Sequence, residues 1–78
     1  MKKVIVYSTP FCHFCHSLKE YLKENKIPFE DFDVSQDEEK LKEMVKKSGQ
    51  MGVPVIEIDN QIIVGFDKEK IDQALELK

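Results

Sequence analysis

Two thiols three positions apart, Cys12 and Cys15, are the residues of this chain best suited to chemistry. They bracket His13 and Phe14, follow the short apolar run Val4-Ile5-Val6-Tyr7, and precede a helical pattern. A strand that feeds a helix start offers a sulfur what a surface loop does not. The first-turn N–H groups of a helix have no intrahelical partners and carry partial positive charge. Thiolates held there titrate at roughly 3.5–7.5 instead of ~8.5. The thiolate is the attacking species in disulfide exchange, so Cys12 is the candidate nucleophile. Cys15, one helical turn on, is placed to attack a mixed disulfide on Cys12 and release the reduced substrate.

The elements that position this pair follow from the pattern on either side. Val4 to Tyr7 is a continuous apolar, β-branched run, the signature of a strand covered on both faces. Ser8-Thr9-Pro10-Phe11 reads as a loop, with a proline where a helix entrance tolerates it. From Cys12 to about Asn25 the pattern is helical, with Cys15, Leu18 and Leu22 on one stripe and Tyr21 at its border. Cys15 therefore faces inward, while Cys12 faces out and Phe14 stands at the rim. Lys26-Ile27-Pro28 ends the helix, because proline disfavours helical geometry before it.

Phe29 to Val34 reads as a less buried strand, with Phe32 and Val34 on one face. Ser35-Gln36-Asp37-Glu38 has the form of a capping box with Ser35 as the cap. The helix that follows presents Leu41, Met44 and Val45 and stops at Gly49. These elements form a β-α-β unit, whose crossover implies parallel strands. Gln50-Met51-Gly52 is a loop, Val53 to Ile58 a strand, Asp59-Asn60 a two-residue hairpin turn, and Gln61 to Val64 the returning strand. Gly65-Phe66 bends the chain, and Asp67 caps a last helix that buries Ile71, Ala74 and Leu75. The order β-α-β-α-β-β-α predicts an α/β fold, a four-stranded mixed sheet flanked by three helices.

Composition narrows the function. Seventy-eight residues make a single domain, 1–78, and a chain of that size buries only about 60% of its unfolded surface. Two cysteines so close together cannot staple it, since a bridge closing a short loop restrains the unfolded chain little. Their presence is better explained by chemistry. Met1-Lys2-Lys3 is followed by too few apolar residues for a signal-peptide core, and no run reaches membrane-spanning length. The chain reads as a cytoplasmic protein, where a CxxC pair is catalytic or metal-binding. Net charge is −3 and all twelve basic residues are lysines, which provides no footprint for nucleic acid.

The whole chain resembles the glutaredoxins, the smallest thioredoxin-fold proteins, and among them the short bacterial glutaredoxin-like proteins and NrdH-type redoxins. The likeness is carried by Val6-Tyr7-Ser8-Thr9-Pro10-Phe11-Cys12-x-x-Cys15, by Lys47-Ser48-Gly49-x-x-Gly52-Val53-Pro54, and by Gly65-Phe66-Asp67. It implies a monomeric dithiol oxidoreductase reducing protein disulfides and glutathione mixed disulfides, with no bound cofactor and glutathione as co-substrate. It implies a cis Val53–Pro54 bond opposite the CxxC, whose Val53 backbone pairs with an extended substrate; the alternative is a trans edge proline. It implies that Gly65 and Asp67 meet the γ-glutamyl end of glutathione; Asp67 is equally readable as a plain N-cap. Phe14, Met51 and Phe66 would form an apolar docking rim, and each is also readable as partial core packing. The resemblance implies a midpoint potential of about −200 to −230 mV.

The departures from the family pattern point towards a different electron donor. Thr9 occupies the glutathione-site position three before Cys12 where a basic residue is usual, leaving Lys46 or Lys47 to supply that charge. Val64-Gly65 replaces a Gly-Gly pair, Lys68 stands where a second acid is common, and Met51-Gly52 replaces polar residues. The alternative is an NrdH-like protein reduced by thioredoxin reductase. His13 replaces the usual proline, and a cationic imidazole there would stabilise the thiolate and make the disulfide more oxidising; the alternative is a solvent-facing histidine of little influence. Two further readings stand beside these. Cys12-His13-Phe14-Cys15-His16 is literally C-x-x-C-H, a c-type haem attachment signature. A zinc site would want a second ligand pair, whereas an iron–sulfur cluster could bridge two chains.

Overall fold

One of the two inner strands of the sheet leads to the two cysteines. In the computed structural model, which describes residues 3–76, β1 (Val4–Ser8) is followed by α1 (His13–Glu24), β2 (Glu30–Asp33), α2 (Glu38–Ser48), β3 (Val55–Ile58), β4 (Gln61–Val64) and α3 (Lys68–Leu75). Met1 and Lys2, part of the stretch read above against a signal peptide, and residues 77–78 lie outside the described residues. The sheet order is β2-β1-β3-β4. β1 pairs parallel with β2 and antiparallel with β3, and β3 pairs antiparallel with β4. This is the four-stranded mixed sheet with three helices that the pattern predicts.

Alternation along β1 explains its unbroken apolar run. Val4 and Val6 face one side, where they pack with Ile56, Ile58 and Ile63 against Leu18 and Leu22 of α1 and Ile71 and Ala74 of α3. Ile5 and Tyr7 face the other, where Val55, Val34 and Met44 of α2 complete a second cluster. Truncating a fully buried leucine such as Leu18 to alanine would cost about 2–5 kcal/mol.

Several boundaries differ from the sequence pattern, each for a local reason. Ser35 is not the cap of α2. Asp33 Oδ1 accepts from both the Ser35 N–H (2.9 Å) and the Ser35 hydroxyl (2.5 Å), closing a turn first. Asp37 becomes the cap instead, accepting from the Lys40 N–H at 3.1 Å. α1 ends through a left-handed turn at Lys26 (φ 58°), not through Pro28 alone. The Lys26 N–H donates to the Lys23 carbonyl and the Ile27 N–H to the Leu22 carbonyl, while Ile27 packs on the core. That is the Schellman arrangement with lysine in the usual glycine position. β2 is shorter than Phe29–Val34, and β3 begins at Val55, after Val53 and Pro54. At the hairpin, Asp59 carries a positive φ of 54°.

Topology gathers three connections at one end of the sheet. β1 ends there, β3 begins there, and β4 ends there. Extending the Tyr7–Val55 register by one residue sets Pro54 opposite Ser8. The β1–α1 loop, the Val53–Pro54 bond and the Gly65–Asp67 bend therefore meet. No helix among the described residues is long and apolar enough to cross a membrane.

Candidate active site

Cys12 is the N-cap of α1. Its backbone is extended (φ −104°, ψ 113°), and its Sγ accepts a hydrogen bond from the Cys15 N–H at 3.1 Å. The loop holds it on both sides: the Cys12 N–H donates to the Thr9 carbonyl at 3.4 Å, and the Cys12 carbonyl accepts the His16 N–H at 3.2 Å. The sulfur thus sits where first-turn donors converge. Cys12 is half-buried, whereas Cys15 is fully buried and joins Leu18 and Leu22 on the inner stripe. Burial, and then a hydrogen bond to Cys12, push the Cys15 thiol up to about 12, against smaller opposing pulls from the Thr9 backbone and Lys19. The two sulfurs are chemically unequal: one is accessible and faces donors, and the other is a protonated thiol beneath it.

A shallow depression of about 370 Å³ surrounds Cys12, lined by Pro10, Phe11, His13 and His16. Phe11 is 90% exposed, Phe14 67% and Met51 68%. Phe11 was not singled out in the sequence, although its position outside any helical or strand stripe was a usable signal. His16 lies on the same depression and also reaches a second hollow between α1 and the start of α3. His13 is exposed at the first helical position.

Across the loop, the Val53–Pro54 peptide bond is cis, as the resemblance implied. Pro54 is buried and Val53 half-buried. The Pro54 carbonyl accepts from the Gly65 N–H at 2.8 Å, tying the end of β4 to this proline. Gly65 has φ 84°, a backbone conformation that explains glycine there, and the space around its missing Cβ is open. Asp67 caps α3, accepting from the Lys70 N–H at 3.2 Å. Phe66 is not a free part of the rim. It is half-buried, edge-on to Tyr21 with ring centroids 5.9 Å apart, and the Lys68 ammonium lies 5.8 Å from its ring. Thr9 is half-buried and contributes backbone to the Cys12 loop.

The lysines considered as substitutes for a basic residue at position 9 point elsewhere or stay outside. Lys47 Nζ is bound to Glu57 at 2.6 Å and donates to the Tyr7 hydroxyl at 3.3 Å, on the sheet face beneath α2. Lys46 is exposed in the last turn of that helix. Among the described residues there is no group of three or more His, Cys, Asp or Glu arranged to hold a metal ion.

The sheet order, the cis-proline beside β1 and the paired thiols at the first helix define a thioredoxin-fold domain of glutaredoxin type. A solved variant of the thioredoxin-like protein BC3987 superposes with a TM-score of 0.92 at 35% identity, covering 100% of both chains. The chain belongs to the glutaredoxin family, whose sequence model matches residues 4–63. An uncharacterised glutaredoxin-like 8.6 kDa protein from the rubredoxin operon of Clostridium pasteurianum is 51% identical over 71 residues, 91% of this chain and 95% of that protein. Glutaredoxin 3 of Escherichia coli K12 is 36% identical over 67 residues, 86% of this chain and 81% of that protein. The family match takes in both cysteines and the cis-proline and ends before Gly65.

Proposed function

We propose that the protein is a dithiol thiol–disulfide oxidoreductase in which Cys12 attacks and Cys15 resolves. The observation that supports it is the sulfur cap of α1: Cys12 Sγ faces the Cys15 N–H at 3.1 Å while the Cys15 thiol is buried. An anionic sulfur at a helix N-terminus gains from the same donors that a capping carboxylate would use. The Cys12 thiolate displaces one sulfur of a substrate disulfide, forming a Cys12–substrate bond and releasing a thiolate that takes up a proton. Cys15 then attacks Cys12, the substrate leaves as a thiol, and a Cys12–Cys15 disulfide remains for a reductant to reopen.

Protein disulfides are the substrates, docked over Phe11, Phe14 and Met51 with the Val53 backbone pairing to an extended segment. Glutathione is the proposed co-substrate, its γ-glutamyl end meeting Gly65, Phe66 and Asp67 and its remainder lying along Thr9, His13 and Cys12. A second reading, reduction by thioredoxin reductase in the manner of NrdH-type redoxins, is favoured by two particulars. Thr9 brings no charge to the loop, and Lys68 sets an ammonium over Tyr21 and Phe66 where α3 begins. A paired assay on one disulfide substrate decides: reduction driven by glutathione with its reductase, or by thioredoxin reductase alone. Activity in the first supports glutathione, activity only in the second assigns the protein to the NrdH-like mode, and activity in neither overturns both.

A further inference from the structure

Resolution requires the less reactive of the two sulfurs to become a nucleophile. Cys15 is buried, with its thiol against Cys12 and the Thr9 backbone. Lys19 lies four residues further along α1, on the next turn of the same helix face. Its ammonium is fixed in place, because Nζ donates to Asp31 Oδ2 at 2.9 Å. Asp31, on β2, is fixed in turn by the Ser8 hydroxyl, which donates to Oδ1 at 2.7 Å. Ser8 is buried at the end of β1, immediately before Thr9. A buried serine and a strand carboxylate thus hold a lysine that stands one helical turn beyond the resolving cysteine, and the capping and core packing described above use none of the three.

We propose that Lys19 is a positioning residue for the second half-reaction: its ammonium, held by Asp31 and Ser8, stabilises the negative charge that develops on Cys15 Sγ as it attacks Cys12. The inference rests on the assignment of Cys12 as attacking and Cys15 as resolving thiol. The step balances without an external oxidant. The Cys15–Cys12 sulfur bond forms, the bond from Cys12 to the substrate sulfur breaks, and the leaving thiolate takes the proton that Cys15 gives up. The groups facing Cys15 are Cys12 and Thr9 from the loop and Lys19 from its own helix. Facing the ammonium are Asp31 from β2 and, behind it, Ser8 from β1. From α3, Asp72 is engaged by the Tyr21 hydroxyl, and the Glu43–Tyr7–Lys47 group lies under α2 on the opposite face. The pull of Lys19 on the Cys15 thiol is downward, opposing burial. Its charge is partly solvated and partly neutralised by Asp31, which sets the effect at about three- to tenfold in rate.

The test mixes the reduced protein with up to one equivalent of dithiobis-nitrobenzoate and follows thionitrobenzoate release. The first phase reads attack by Cys12, and the second reads resolution by Cys15. Lys19→Met and Lys19→Gln should slow the second phase about three- to tenfold at neutral pH and shift its pH profile upward. Both should leave the first phase within about twofold, which also reports intact folding, and Lys19→Arg should restore the second phase. A second phase and pH profile unchanged in both neutral variants would overturn the proposal. So would a Lys19→Arg protein as slow as Lys19→Met. Absence of a second phase in the unaltered protein would instead remove the assignment of the two thiols on which it rests.

Discussion

α1 and α3 start at the same end of the sheet and pack on the same face, yet their first turns are built from different chemistry. At α3, Asp67 adopts extended backbone and its carboxylate accepts the Lys70 N–H, with Glu69 adding an acid to the turn. α2 repeats this with Asp37, Glu38 and Glu39. At α1 the same backbone conformation is held by Cys12, no acid follows in the first turn, and the acceptor is a sulfur. A thiol is a weak acceptor, so in its neutral form it caps poorly. Two helices carry a carboxylate at the position where donors converge, and the third carries a thiol there. The contrast separates caps that hold the fold from the cap to which the proposed exchange chemistry is assigned.

The largest effect that would sharpen this contrast comes from Cys12→Ser. Serine is a preferred cap, so urea denaturation should show unchanged stability or a gain of up to about 1 kcal/mol. Disulfide reduction by the same variant should fall by about three orders of magnitude or more, as when the nucleophile of a coupled set is removed. Cys15→Ser should instead accumulate mixed disulfides, visible by mass spectrometry. Equal, partial losses from both substitutions would erase the distinction between attacking and resolving thiols.

Next comes the separation of the two thiols by pH. Iodoacetamide at pH 8 should label Cys12 and spare Cys15, whose thiol is pushed up to about 12. An unfolded cysteine ionises near ~8.5, so the unfolded chain sheds this proton first. The stability linked to Cys15 is therefore fully present below that value and lost as pH rises towards about 12. Tyr7, also pushed up to about 12 mainly by burial, adds a loss of the same sign above its ordinary range. Denaturation midpoints at pH 7 and pH 10 should fall more in the unaltered protein than in Cys15→Ala.

Asp67→Ala tests the other side of the comparison. It should cost about 1 kcal/mol of stability and leave the Cys12 alkylation rate unchanged. A parallel drop in alkylation would show that the two helix ends are coupled. The smallest effect is expected from His13→Gln, about a twofold change in that alkylation rate at most, because His13 is exposed and interactions through solvent are screened.

Much of this was legible in the chain. Continuous apolar residues in β1, the Cys15–Leu18–Leu22 stripe and the Gly49 stop all report periodicity and backbone preference, which are local properties. The unequal exposure of the two thiols followed from the same stripe. Ser35 misled because a capping box and an aspartate-closed turn share residue types, and only the competition for Asp33 decides between them. The end of α1 near Asn25 was legible, but the left-handed turn at Lys26 was hidden, because a Schellman turn usually announces itself with glycine. The Ser8–Asp31–Lys19 chain was unreadable for a deeper reason. Its members come from three elements, and nothing in their spacing reveals that β2 lies beside β1 in the register that brings them together. Lys47 was ambiguous on the same ground, since its partners Glu57 and Tyr7 are set by strand order.

β1 is flanked on both sides by other strands and covered on both faces by side chains, and the reactive loop departs directly from its end. Segments enclosed in this way give up their amide protons to solvent deuterium last, often only through global opening. The platform under the sulfurs should therefore exchange among the slowest parts of the molecule, together with its inner neighbour β3. Under the proposed exchange cycle, bonds at its tip would form and break without loosening the scaffold that aims them.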